Sequence, residues 1–163
     1  MSRAPVSAWW KAQELLARRA HGSRELINKL KIRDYPTAEI EDTIRRLFGA
    51  GILNDETFAQ NLVEELFFRR GYGFHAVLLR LRQKGLAAEL CKRITQQFFG
   101  ELDEDELLAV ILKLIERRRS KEKDKNRLFA WLKRRGFRSD EIARALHVRF
   151  EEGGLKQIFN KER

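Results

Sequence analysis

The chain has 163 residues, 43% of them hydrophobic, with a formal net charge of +10 and a pI near 10.1. There is enough apolar material for a real core, and the basic balance selects an anionic partner: nucleic acid, a nucleoprotein or an anionic membrane surface. No apolar run approaches the roughly 18 residues of a membrane span, the N-terminus has no uncharged signal-peptide core, and a single cysteine, Cys91, excludes an internal disulfide. These features predict a soluble, cytoplasmic protein.

Helix is predicted almost throughout. There are two prolines, Pro5 and Pro36, no β-branched runs, and apolar residues recur at spacings of three and four. Nine helices are expected in chain order, near 7–20, 23–32, 37–48, 55–70, 74–84, 87–98, 103–119, 124–135 and 139–150. In the fourth, Phe58, Leu62 and Leu66 fall four apart with Ala59, Val63 and Phe67 beside them, the stripe of an amphipathic helix. Leu107, Leu108, Ile111, Leu112 and Ile115 make the corresponding stripe in the seventh. Asp103 followed by Glu106 resembles a capping box, and Ser23, Asn54 and Ser139 are further N-cap candidates. Gly22, Gly71, Gly85 and Gly136 stand where helices should end, because glycine enters the left-handed cap without a Cβ clash.

One phrase recurs. LKIRDY, LRQKGL and LKRRGF begin at Leu30, Leu81 and Leu132, so that Asp34, Gly85 and Gly136 are spaced by 51 residues. The same interval relates Leu26, Val77 and Leu128; Tyr35, Leu86 and Phe137; Ile40, Cys91 and Ile142; and Thr43, Ile94 and Ala145. A gapless period of this size is an internal repeat. The expected fold is all-α, three tandem three-helix repeats over 1–50, 51–100 and 101–150 with a tail at 151–163. Such triplets should stack into an extended, curved array. Asp34 replaces glycine at the first turn, where Asp tolerates the left-handed region better than most residues.

Catalytic chemistry has no constellation to rest on. His21, His75 and His147 are widely spread and read as surface or cap residues; Cys91 occupies a core position of the repeat. The acidic cluster from Glu101 to Glu106 reads as a helix start rather than a metal site. No cofactor or metal is expected. The aromatic residues Trp10, Phe58, Phe67 and Trp131 fall on apolar faces and are assigned to the core. Tyr72, between Gly71 and Gly73, either packs its turn or stacks on a base or partner.

The basic residues are more informative. Successive helices end in Arg18 and Arg19; Lys31 and Arg33; Arg69 and Arg70; Arg82 and Lys84; Arg117, Arg118 and Arg119; Lys133, Arg134 and Arg135. One cation per helix end complements the helix dipole, at about 0.3–1 kcal/mol each; two or three exceed that need. Stacked repeats would align these ends as a positive stripe. The densest stretch, Lys113 to Arg135, reads equally as a partner-contacting face or a solvated linker. The candidate partner-contacting residues are Arg19, Lys31, Arg69, Arg70, Tyr72, Arg82, Lys84, Arg117, Arg118, Arg119, Lys133, Arg134 and Arg135.

The run RRAHGSRELINKL…IEDTIRRLFGAGILNDETFAQNLVEELFFRRGYGFHAVLLRLRQKGL resembles the RecX family, regulatory proteins of bacterial RecA recombinase. The resemblance is carried by Arg19 to His21, Leu26, Lys29 and Leu30, then Gly51, Leu53 and Asp55, then Phe58 and Ala59, Arg70 to Gly73, and Leu81 to Leu86. Arg127 to Phe137 resembles the family's third repeat, so that about residues 8 to 150 are covered. It implies three tandem three-helix repeats and a non-enzymatic role. That role is binding in the groove of the RecA–DNA filament and restraining strand exchange, ATP hydrolysis and promotion of repressor self-cleavage. DNA itself is implied as a secondary partner, and a membrane is not. Asp34–Tyr35–Pro36 and Gly22 depart from the family's usual basic-glycine turn and serine, which bears on the geometry of the first repeat. The competing reading is a general nucleic-acid-binding helical-repeat protein independent of RecA, which the charge supports equally.

Overall fold

The structure, a computed structural model, describes residues 6–118 and 124–151. Among these are nine α-helices and no strand: α1 (Ala8–Arg18), α2 (Ser23–Lys31), α3 (Thr37–Gly49), α4 (Asp55–Glu64), α5 (Phe74–Gln83), α6 (Ala88–Glu101), α7 (Glu104–Arg117), α8 (Lys125–Arg134) and α9 (Ser139–Glu151). A π turn, Glu65–Arg69, extends α4. The expected tail beyond Glu151, the Ser120 linker and Arg119 lie outside the described residues.

The principal contacts run within triplets: α1, α2 and α3 with one another, α4, α5 and α6 likewise, and α9 against both α7 and α8. Each triplet has its own core. Leu26, Leu30, Ile40 and Leu47 fill the first; Val77, Leu81, Cys91 and Ile94 the second; Leu128, Leu132, Ile142 and Ala145 the third. Apart from Leu47 these are residues picked out by the repeat, whose Thr43 is buried as well, and each fully buried Leu or Ile contributes about 1.5–3 kcal/mol. The π turn sends Phe67 into the third core while its neighbour Leu66 stays in the second. Phe67 meets Phe98 and Phe99 edge-on, with ring centroids 5.6 and 5.4 Å away, so one aromatic cluster joins the two repeats.

The recurring phrase forms one turn three times. Asp34, Gly85 and Gly136 take positive φ values of 60°, 81° and 88°. Their N–H groups donate to the carbonyls of Lys31, Arg82 and Lys133, at 2.9, 2.8 and 2.9 Å. Such a turn satisfies carbonyls that a helix end leaves open. Gly71 ends the π turn with φ +63°, but Gly22 does not close α1. Its φ is −74°, and it precedes α2 as the N-cap.

That position explains the stacking. Gly22 and Gly73 are also 51 residues apart and both stand at the N-cap of the second helix of a repeat. A Cβ on Gly22 would lie 3.3 Å from the Phe58 ring and 3.5 Å from Leu86. A Cβ on Gly73 would lie 2.5 Å from the backbone nitrogen of Phe137, the counterpart of Leu86. Gly73 must be glycine because the backbone of the next repeat's turn lies against it, whereas Gly22 faces only side chains at ordinary or slightly tight contact. In the third repeat the same position is Asp124, which is exposed and caps α8 through its side chain, 2.9 Å from the Asn126 N–H. Asp34 is likewise exposed, whereas Cβ atoms on Gly85 and Gly136 would strike Arg24 and Ala76 of the preceding repeat.

Several local expectations change. Trp10 is 67% exposed. The buried stripe of α1 is Ala8, Ala12 and Leu15, and Trp10 falls on the opposite side; Trp9 packs instead, with the Arg46 guanidinium 4.1 Å from its ring. Phe58 and Trp131 are partly buried and Phe67 wholly so. Asn54 caps α4 as expected; Asp103 caps α7 through the Asp105 and Glu106 N–H groups, but the return bond from Glu106 that would complete a capping box is absent among the described residues. Ser23 and Ser139 are not caps; each is the first residue of its helix. Asp55 accepts from the Ser23 N–H and hydroxyl, at 2.7 and 2.6 Å, and Glu141 accepts from the Arg138 N–H at 2.7 Å.

Candidate functional site

The basic helix ends separate into committed and available side chains. Arg135 is the most committed. Its Nε donates to the Gly71 carbonyl at 2.8 Å and its Nη2 to the Arg70 carbonyl. Its guanidinium lies 5.0 Å from the Tyr72 ring and 5.2 Å from Trp131. Burial lowers its pKa, with the Tyr72 hydroxyl opposing. Arg135 therefore ties the third repeat to the turn that ends the π segment.

Arg19 is committed too, pairing with Glu25 and donating to the Ala20 carbonyl at 2.9 Å. Burial pushes the Glu25 carboxyl up, but the Arg19 and Lys29 contacts outweigh it and hold the pKa at about 2. His21 completes this cluster and is buried rather than on the surface. Its Nδ1 lies 2.8 Å from the Arg19 carbonyl, which can only accept, so Nδ1 carries the proton and Nε2 accepts from Lys29 at 2.8 Å. Burial lowers the ring's pKa. His21 thus satisfies a carbonyl at the end of α1. His75 and His147 are exposed.

Arg70 pairs with Glu65 at 3.0 Å. Arg118 lies 4.7 Å from the Trp131 ring, and Lys133 donates to the Ser139 hydroxyl at 3.2 Å. Lys31, Arg69, Arg82, Lys84, Arg117 and Arg134 are exposed and form no ion pair among the described residues. These six lie at the ends of α2, the π turn, α5, α7 and α8, in all three repeats.

Arg19, Arg70 and Lys84 meet at one place. A groove of about 850 Å³ opens where the loop after α1 faces α4, its π turn and α5. Its cations are Arg19, Arg70, Arg80 and Lys84, and Glu65 is its one lining carboxylate. Arg80 is not among the residues singled out from the sequence, although its spacing of four from Lys84 on one helix face was available. Its guanidinium lies 3.8 Å from the Tyr72 ring. A hydrogen bond from Arg80 lowers the Tyr72 hydroxyl's pKa, slight burial opposing. Tyr72 is thus packed between arginines in its turn. Arg82 and Arg69 do not line this groove, and neither do the third repeat's candidates.

No group of three or more potential metal-ligating side chains occurs among the described residues, and no described helix is long and apolar enough to cross a membrane. Cys91 is buried, and that burial raises its pKa.

Comparison with known proteins gives this architecture a family. A regulatory protein RecX from Chlorobaculum tepidum is 34% identical over 128 residues, 77% of this chain and 78% of its own length. This chain belongs to the RecX family. The RecX regulatory protein of Pelodictyon phaeoclathratiforme is 32% identical, covering 84% of this chain and 85% of its own. The family description "RecX, first three-helix domain" matches residues 8–47, which hold α1, α2 and most of α3. The fold is shared with the crystal structure of RecX from Lactobacillus salivarius, with a TM-score of 0.71 at 20% identity over 86% of this chain and 92% of that one. RecX membership accounts for the three-helix repeats and gives the chain a regulatory rather than an enzymatic family.

Proposed function

We propose that this chain regulates RecA recombinase, mainly as an inhibitor, by binding along the groove of the RecA–DNA filament through several exposed basic helix ends. Binding there would restrain strand exchange, ATP hydrolysis and stimulated repressor cleavage. Membership of the RecX family supports RecA as the partner. The observation that carries the mode of binding is the set of uncommitted cations repeated along the array: Lys31 in the first repeat, Arg69, Arg82 and Lys84 in the second, Arg117 and Arg134 in the third. One cation per end suffices to balance a helix dipole; the end of α5 keeps two, Arg82 and Lys84, and the other four ends keep one each. Stacked repeats present these charges at intervals, and a periodic anionic nucleoprotein meets them at more than one point.

Co-sedimentation tests this reading. The chain should pellet with RecA assembled on single-stranded DNA with nucleotide, and far less with either RecA or DNA alone. The second reading, a nucleic-acid binder independent of RecA, has the +10 charge in its favour. It predicts equal retention by naked DNA, with affinity falling steeply as salt rises.

A further inference from the structure

From the groove between the first two repeats we infer a site for one strand of nucleic acid, held by its phosphates and not by its bases. The inference rests on the reading that basic ends meet a nucleoprotein, and it names where the polyanion itself would lie. Four cations line the groove; Arg19 is paired with Glu25 and Arg70 with the lining carboxylate Glu65, which leaves Arg80 and Lys84 without an ion pair among the described residues. Three of the four are arginines, whose planar forks suit phosphate oxygens. They come from both walls: Arg19 from the end of the first repeat's leading helix, Arg70, Arg80 and Lys84 from the second repeat. A concave channel with cations on either side tracks a strand's backbone, as single-strand-binding grooves do.

Such grooves usually add aromatic platforms on which bases stack. Here both candidate platforms are occupied. Tyr72 has Arg80 at 3.8 Å and Arg135 at 5.0 Å from its ring. Phe58 is partly buried and set against Gly22 at the seam. Arg80 is thereby held in place on Tyr72, a preorganised donor. Asn61 and Gln83, also in the lining, offer amides to sugar or phosphate oxygens. The result is a grip on the sugar–phosphate chain without regard to sequence. A short acidic peptide would also find cations here, but the chain's net charge of +10 extends well beyond the groove and suits a polyanion.

The test is fluorescence anisotropy with the full chain and no recombinase, using a labelled oligothymidylate of about twelve nucleotides and its fully abasic counterpart. Both should bind within about threefold of each other, because stacking that would separate them is absent. Arg80→Gln with Lys84→Gln should weaken both by about tenfold and flatten the salt dependence, each cation being matched to a phosphate. Lys92→Gln with Lys113→Gln removes the same charge from exposed positions outside the groove and should change binding by less than about twofold. If circular dichroism shows the groove variant unfolded, the exposed Lys84→Gln alone carries the comparison. Loss of abasic binding, equal effects of the two double variants, equally tight binding of a poly-glutamate peptide, or no binding to either oligonucleotide would each overturn the site. None of these outcomes decides RecA dependence, which the co-sedimentation reads separately.

Discussion

The two seams between repeats share a register but not a chemistry. At the first, α2 begins at Gly22 and its open N–H groups turn to a side chain: the Asp55 carboxylate takes the Ser23 N–H at 2.7 Å. At the second, α5 begins at Gly73 and its donors turn to main chain. The Gly73 N–H reaches the Arg135 carbonyl at 2.9 Å, and the His75 N–H reaches the Gly136 carbonyl at 3.0 Å. Arg135 then bonds back to Gly71 and Arg70, and Phe67 crosses into the third core. A helix start must have its donors satisfied, and equivalent starts in one chain solve this in two ways. Backbone pairing tolerates no intervening Cβ, so the second seam is the tighter. The first leaves room for a groove lined from both sides.

The comparison is easiest to break at Gly136. Its φ of +88° and the nearness of the Ala76 backbone both forbid a branched side chain. Gly136→Val should destabilise by at least about 3 kcal/mol in urea unfolding, combining left-handed strain with overpacking. Gly22→Ala at the first seam meets only the Phe58 ring edge at 3.3 Å and should cost less than about 1 kcal/mol. Equal costs would mean the seams are equally close.

Arg135→Met keeps the stem and removes the donors to Gly71 and Arg70. We expect a loss of about 2 kcal/mol, with faster amide exchange at residues 71–76 and 136–138 and little change near Ser23. Uniformly faster exchange would show that Arg135 supports the whole fold instead of one seam.

Acid should act on the other side of the molecule. The Glu25 pKa of about 2 lies below its ordinary value of 4.5. A depressed carboxylate stabilises the fold fully above its unfolded pKa, and that contribution disappears as pH falls toward the folded value. Discounted for partial exposure, about 2 kcal/mol should be lost between roughly pH 5 and 2, and Glu25→Gln should flatten that part of the profile. The smallest effect is at Asp34. With φ at 60° and no glycine, Asp34→Gly should raise stability by about 0.5–1 kcal/mol, seen as a higher Tm.

The features legible in the sequence are local and periodic. Helix positions follow from apolar spacing, and the turns at Asp34, Gly85 and Gly136 from the 51-residue interval, because short-range sterics decide both. Long-range partners left no such trace. Ser23 carried the signature of an N-cap, yet Asp55, 32 positions away, does the capping. His21 read as a surface or cap residue; it does serve the end of α1, but from a buried position bonded to the Arg19 carbonyl and Lys29. Trp9 and Trp10 are adjacent, and only packing against Arg46 shows which one is covered. Among the basic residues, charge alone could not separate Arg135, engaged 64 positions away at Gly71, from Arg134, which stays exposed.

That separation leads to the most direct measurement: RecA ATP hydrolysis on single-stranded DNA with the chain added, at two salt concentrations. Wild type should inhibit. The triple reversal Arg69→Glu, Arg82→Glu and Arg134→Glu places repulsion at exposed ends in two repeats and should remove most of that inhibition, while circular dichroism shows an unchanged helical fold. Inhibition that persists undiminished in the folded triple variant would contradict binding through the basic helix ends.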